Sequence, residues 1–237
     1  MDPTVAFKTY LTQVEQQLMA LLGGDAPKAN DSLVTAARHL ILGGGKRARP
    51  LLVKVFGETL RIGDDPRLVD IGVSAELIHA ASLLHDDVVD GGMFRRGKPT
   101  ANARWGNIVS VLAGDLVLSG GLHRLAVVDP RLSRSALAVV TEMTRAAIAE
   151  VEARGNLDTT LEQLRSIGEG KTGSLFGWCG AAVGTLAGDA SAAERFDQFG
   201  RRIGVAFQIA DDIRDITGTD EGKPQFADIQ SRSLSVP

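Results

Sequence analysis

The sequence predicts an all-α fold, a single-domain helical bundle, on three observations. Apolar residues recur at helical spacings, alanine is abundant in the longest periodic runs, and no alternating strand segments with turn dipeptides accompany them. At the N-terminus, Phe7, Leu11, Val14, Leu18 and Leu21 recur at intervals of four and three, and Gly23-Gly24 ends the stripe. A second helix is expected over about 32–42, stopping at Gly43-Gly44-Gly45. The run Leu51-Leu52-Val53-Lys54-Val55 suits a strand by propensity, but with no partner strands in the chain it is assigned to helix. Further helices are expected over 76–90, 107–125, 133–154, 161–180 and 192–216. A bundle of this kind carries its site in a central cavity between facing helices.

The chain has 237 residues, 44% of them hydrophobic, enough for one sizeable core, and no Pro/Ser/Gly tract divides it. Residues 1–237 are therefore read as one domain. A formal net charge of -3 gives no general attraction to nucleic acid, so the basic residues that matter must be local clusters. Cys179 is the only cysteine, which excludes an intrachain disulfide and suits a reducing compartment. Met1-Asp2-Pro3-Thr4 lacks the pattern of a signal peptide, and the apolar stretch 108–118 is interrupted by Ser110 and Asp115. A cytoplasmic protein with no transmembrane segment is the expectation.

The chemistry is carried by a repeated cluster. Asp86-Asp87-Val88-Val89-Asp90 recurs in form as Asp211-Asp212-Ile213-Arg214-Asp215. On a helix, Asp86 and Asp90 share a face about 6 Å apart, as do Asp211 and Asp215, while Asp87 and Asp212 point about 100° round. One such cluster is equally well a solvated helix face. Two, each preceded by an apolar run (Ala80-Ala81-Ser82-Leu83-Leu84 and Val205-Ala206-Phe207-Gln208-Ile209-Ala210), are not. Carboxylates this close stay ionised in a half-buried setting only if a cation or strong donors offset desolvation. Oxygen donors without Cys or His favour a hard ion, Mg²⁺, shared with phosphate oxygens.

Cations are interleaved with the aspartates, as a metal-held diphosphate requires. Gly43-Gly44-Gly45-Lys46-Arg47-Ala48-Arg49-Pro50 places three of them behind a glycine turn, an anion site by backbone amide and guanidinium. Arg95-Arg96 follows the first cluster, and Lys171-Thr172 opens another apolar stretch. His79 lies two helical turns before Asp86 on the same face and is assigned a ligand-binding role. Ala81 and the Ser82 one turn beneath Asp86 are small, which fits either close helix packing or a pocket for an apolar tail.

Glu76-Leu77-Ile78-His79, His85-Asp86-Asp87-Val88-Val89-Asp90 and Arg95-Arg96-Gly97-Lys98-Pro99-Thr100-Ala101-Asn102 together resemble the first aspartate-rich region of trans-isoprenyl (polyprenyl) diphosphate synthases. Phe207-Gln208-Ile209-Ala210-Asp211-Asp212 to Asp215, then Gly222-Lys223-Pro224, resembles the second, and Gly44 to Pro50, Gly114-Asp115 and Lys171-Thr172 match in order. The resemblance implies an isoprenoid-synthase bundle acting as a Mg²⁺-dependent prenyltransferase. Its catalytic set would be Asp86, Asp87, Asp90, Asp211, Asp212, Asp215 and Lys171. An allylic diphosphate would be held by Mg²⁺ between Asp86/Asp90 and Asp211/Asp215, with Arg95, Lys171, Thr172, Gln208 and Lys223 around its diphosphate. Isopentenyl diphosphate would sit on Lys46, Arg49, His79 and Arg96. Ala81 and Ser82, where short-chain members tend to carry aromatic residues, imply a long-chain product, with peripheral membrane contact for its release. A homodimer is implied, with the apolar helix at 108–118 supplying a face.

Two departures from the family pattern stand out. The stretch Asp228-Ile229-Gln230-Ser231-Arg232-Ser233 offers serine where a further lysine is usual, and members usually continue through several helices beyond the position of Pro237. The competing readings are a class I terpene cyclase, which has no use for a second-substrate site, and a non-catalytic partner subunit, a kind that tends to lose aspartates.

Overall fold

The structure, a computed structural model, describes residues 3–24 and 31–217; within the last helix the side chains of Arg214, Asp215 and Ile216 are not described. Lys223 and the stretch 228–233 lie outside the described residues. In chain order the elements are α1 (Pro3–Leu21), α2 (Ser32–Ile41), α3 (Ala48–Thr59), α4 (Arg67–Val89), a hairpin of β1 (Phe94–Arg95) and β2 (Lys98–Pro99), α5 (Ala101–Trp105), α6 (Asn107–Val128) and α7 (Pro130–Ala153). They are followed by α8 (Leu161–Gly168), one turn of π-helix (Glu169–Gly173), α9 (Ser174–Ala187) and α10 (Ala190–Thr217).

The all-α expectation holds, with three local differences. The helix expected over 76–90 starts at Arg67, because residues 71–78 are buried in succession and leave no amphipathic stripe to mark a start. The helix expected over 161–180 is interrupted by the π turn, a one-residue insertion that an apolar periodicity does not resolve. The short hairpin and α5 carry too few residues for any periodic signal. Helix ends follow local chemistry: Asp31 accepts from the Leu33 and Val34 amides to cap α2, and Thr160 with Gln163 forms a reciprocal capping box on α8.

α4 is the central element. Leu68, Ile71, Val73, Leu77, Ile78 and Leu84 are buried along it, and it packs against α6, α3, α9, α1 and α2. Val14 and Leu18 of α1, Val53 of α3, and Leu175, Trp178 and Cys179 of α9 complete this core. By length and composition alone α4 and α6 could each cross a membrane, a property the interruptions at Ser110 and Asp115 do not remove. For α4 the apolar composition is that of a core helix, with 67% of its most apolar window buried; for α6 only 28% is buried. Ile108, Val111, Leu112 and Leu116 leave an exposed apolar face on α6.

The closest helix pairing is α9 on α10, and glycine makes it possible. A Cβ at Gly184 would lie 2.4 Å from the backbone of Ala193, one at Gly180 2.7 Å from Phe196, and one at Gly200 2.4 Å from the Phe176 carbonyl. Gly204 approaches Gly173 in the π turn in the same way. This approach sets the distance between the π turn, which carries Lys171 and Thr172, and α10, which carries Gln208, Asp211 and Asp212.

Gly184→Leu is expected to force α9 and α10 apart and destabilise the fold by about 1–3 kcal/mol or more. Gly120→Ala, on α6 with open space at the Cβ position, should instead raise stability by roughly 0.5–1 kcal/mol. Thermal unfolding of the two variants checks the opposite signs.

Candidate active site

The polar residues of α4 emerge as a ridge between two compartments. At about 100° per residue, His79 and Asp86 lie within roughly 20° of one line; Glu76 and Asp87 lie about 80–100° to one side, and Ile78, Ser82 and Val89 about 40–80° to the other. On the latter side a cavity of ≈ 280 Å³ lies between α4, α6 and α7. Ile78, Ala81 and Ser82 line it from α4, Leu118 from α6, and Val140 and Met143 from α7. Asp86, Asp90, Glu150, Arg154 and Lys171 line it as well, so an apolar pocket adjoins a charged one. His85 also reaches this cavity, with Nε2 3.3 Å from Asp115 Oδ1, and its ring lies where a Cβ at Gly114 would stand. That contact gives the Gly114-Asp115 pair a physical role.

The carboxylates of the first cluster are met by cations. Lys171 Nζ lies 3.7 Å from Asp86 Oδ2 and also binds Glu150, while Arg154 donates to Asp90. Burial pushes the Asp86 carboxyl above its ordinary range; Lys171 opposes the shift, and Asp90 and Glu150 add to it. For Lys171, burial works against the charge but Asp86 and Glu150 outweigh it, leaving the ammonium above its usual pKa. Asp87 is turned to the other side and buried, and Arg95 grips it with Nη2 2.8 Å and Nε 3.0 Å from Oδ1. Arg95, expected around a diphosphate, is thus oriented by Asp87 through Nε and Nη2. Asn102 fixes the intervening turn by donating to the carbonyls of Asp87 and Gly92.

The remaining cations gather beyond the ridge. Arg96 and Gly97 form the two-residue tip of the hairpin with φ of 52° and 70°, the signs a type I′ turn requires, and Arg96 donates to the Gly44 carbonyl. Arg49 is buried over the Phe176 ring, its guanidinium carbon 4.7 Å from the centroid, and its Nε has no hydrogen-bond partner among the described residues. Burial lowers its pKa against the pull of Glu76. His79 stands among these groups: burial first, then Arg49, Arg95, Arg96 and Arg47, hold its imidazole well below the ordinary pKa and therefore neutral.

The second cluster reaches the same place through the π turn. Thr172 Oγ1 donates to Gln208 Oε1 at 2.8 Å, and Gln208 Nε2 donates to the buried Asp212 at 2.8 Å. Lys46 Nζ lies 3.7 Å from Asp211 Oδ1 and 5.1 Å from the Phe207 ring centre. Two consecutive residues, Lys171 and Thr172, therefore serve the two aspartate clusters, one each. The side chain of Asp215 is not described. Among the described residues no three carboxylate, imidazole or thiol groups converge into a closed metal cage. Paired oxygen donors such as Asp86 and Asp90 fit an ion that completes its shell with water and phosphate, which is the habit of Mg²⁺.

Sequence reasoning missed Glu150, Arg154, Glu15 and Glu76, which pair with the cations or carboxylates of the site. Glu150 and Arg154 are four apart near the end of a long helix, a spacing equally typical of a solvated face, so no signal in the sequence distinguishes them.

The chain matches the model of the family described as Polyprenyl synthetase over residues 30–237. It is similar to the heptaprenyl diphosphate synthase component 2 of Geobacillus stearothermophilus, 37% identical over 211 residues, covering 85% of this chain and 64% of that protein. It is also similar to a (2E,6E)-farnesyl diphosphate synthase of Mycobacterium bovis, 39% identical over 202 residues, covering 81% of this chain and 55% of the relative. The chain thus spans between about half and two thirds of the length of these two relatives. Among solved structures, a decaprenyl diphosphate synthase from Rhodobacter capsulatus superposes with a TM-score of 0.87 at 29% identity, covering 97% of this chain and 71% of that one.

Neutral His79 has a consequence for stability. The folded protein binds fewer protons there than the unfolded chain, so stability is full above about pH 6.5 and falls as pH drops from that value toward the depressed folded one. His79→Gln should remove this share of the decline when thermal unfolding is followed between about pH 7 and 5. An unchanged slope contradicts the neutral assignment.

Proposed function

This chain belongs to the polyprenyl synthetase family, and we propose that it is a Mg²⁺-dependent prenyltransferase that condenses isopentenyl diphosphate with an allylic diphosphate to give an all-trans polyprenyl diphosphate. The observation that carries this reading is the position of Asp86 and His79 on one ridge, with an apolar cavity on one side and Arg49 and Arg96 on the other, where Lys46 lies over the Phe207 ring. A substrate with a charged head and an apolar tail suits the first compartment, and a second diphosphate suits the other. A terpene cyclase needs only the first.

In this reading the allylic tail descends into the cavity and its diphosphate lies against Lys171, Thr172, Gln208 and Arg95, with Lys223 from outside the described residues. Mg²⁺ held by Asp86 and Asp90 and by Asp211 and Asp215 would supply positive charge to the departing diphosphate. Asp87 and Asp212 take the supporting role their contacts suggest, orienting Arg95 and Gln208. Lys46, Arg49, His79 and Arg96 hold isopentenyl diphosphate; neutral His79 can donate a hydrogen bond without adding charge to the cation group. The C–O bond of the allylic substrate breaks, the isopentenyl double bond attacks the resulting cation, and a proton leaves to the released diphosphate. No protein nucleophile takes part, and the apolar walls keep water from the cation.

A long-chain product follows from small residues at the cavity wall. From Asp90 back to Ile78 the cavity face of α4 is about 18 Å long at the helical rise, and Ala81 and Ser82 leave the path open. The exposed apolar face of α6 at Ile108, Val111, Leu112 and Leu116 is read as the surface of a homodimer working in the cytoplasm.

Asp86→Ala and Asp211→Ala are each expected to lower turnover by about two orders of magnitude or more, measured as incorporation of labelled isopentenyl diphosphate. Undiminished turnover in either would sink the metal assignment. Ala81→Phe should shorten the product distribution, read by mass spectrometry, while the enzyme stays active; an unchanged distribution would put the floor of the cavity elsewhere.

A further inference from the structure

Within the Lys46-Arg47-Ala48-Arg49 run, the guanidinium of Arg47 is spent on carboxylates and a carbonyl outside the two aspartate clusters. Its Nε and Nη2 lie 2.5 and 3.1 Å from the two carboxylate oxygens of Glu15 on α1, Nη1 lies 2.9 Å from Glu76 Oε2 on α4, and Nη2 donates to the Ile41 carbonyl at 2.7 Å. Its backbone sits at φ 46°, in the left-handed region. A non-glycine residue holds that conformation only where its surroundings over-determine it. Here the surroundings are these four contacts. Arg47 is also the residue from which α3 starts, so its backbone sets the direction of Lys46 before it and Arg49 in the first turn after it. Glu76 is itself buried, three residues before His79 on α4.

We propose that Arg47 and Glu76 are positioning residues that preorganise the second diphosphate subsite: their ion pair locks the glycine loop to α4, aiming Lys46 and Arg49 at the same point as His79 without either partner touching substrate. The inference rests on the prenyltransferase reading above. Geometry and charge predict opposite signs, which makes it testable. Glu76 places a negative charge near an anion site, so by Coulomb's law alone its removal tightens diphosphate binding. If its role is to hold the loop, its removal weakens binding, because Lys46 and Arg49 lose their fixed directions. Arg47→Lys separates the same alternatives, since lysine keeps the charge but cannot span two carboxylates and a carbonyl with a planar fork.

The test is steady-state kinetics of the purified chain with both diphosphates and Mg²⁺, using Glu76→Gln, Arg47→Lys and Glu15→Gln, with circular dichroism to verify folding. For Glu76→Gln and Arg47→Lys the KM for isopentenyl diphosphate should rise about tenfold, and the KM for the allylic diphosphate should stay within about twofold. Glu15 is half exposed, so Glu15→Gln keeps the fold even where the buried variants do not, and it should show a smaller rise in the same direction. An unchanged or lowered KM for isopentenyl diphosphate in the folded variants, or an equal rise for both substrates, overturns the proposal. Wild-type protein that condenses nothing overturns the prenyltransferase reading instead, and the proposal falls with its premise.

Discussion

Charge carried on a helix that is otherwise buried is the constraint on which the rest of the structure depends. α4 runs through the core with residues 71–78 buried in succession, yet it also bears Glu76, His79, Asp86 and Asp87 and ends on Asp90. Glu76 and Asp87 are buried and Asp86 is half-buried, and none of the three can be left uncompensated, because the desolvation of a lone carboxylate far exceeds what a neighbouring apolar contact returns. Each carboxylate has its answer in another element: Arg47 for Glu76, Lys171 for Asp86, Arg95 for Asp87, and Arg154 for the more exposed Asp90. The hairpin, the loop before α3, the π turn and the end of α7 are therefore drawn to α4 by its charges. The cations that would bind anions in the proposed function are in part the same ones that let the helix be buried.

A second constraint is steric. The second aspartate cluster can share a site with the first only if α10 lies close to the turn before α9, and the glycines at 177, 180, 184, 200 and 204 remove the side chains that would prevent it. The hydrogen-bond chain from Thr172 through Gln208 to Asp212 crosses at that closest approach. Stability and function meet there: the contact that holds α9 on α10 also fixes the distance across which a diphosphate would be clamped.

Much of this was legible in the sequence. The bundle followed from apolar spacing and the absence of strand signals, and the two aspartate clusters stood out because they repeat within apolar surroundings. Their cationic partners were less legible. Arg95 and Arg96 are adjacent in sequence, yet one is bound to Asp87 and the other reaches Gly44, a division set by the left-handed turn at Arg96 rather than by residue type. Glu150 and Arg154 could not be read at all, since an i,i+4 pair on an alanine-rich helix has the same pattern whether it faces water or a cavity. The π turn was invisible because α9 after it is buried on nearly all sides, so the phase shift that one inserted residue imposes has no one-sided apolar stripe to displace.

The account turns on a site that holds two diphosphates on either side of one helical ridge. Its most direct test is to incubate the purified protein with Mg²⁺ and an allylic diphosphate, with and without isopentenyl diphosphate, and to identify the products by mass spectrometry. The account predicts prenyl diphosphates lengthened by whole isoprene units only when both substrates are present. A hydrocarbon released from the allylic substrate alone, or consumption of neither substrate, would contradict it.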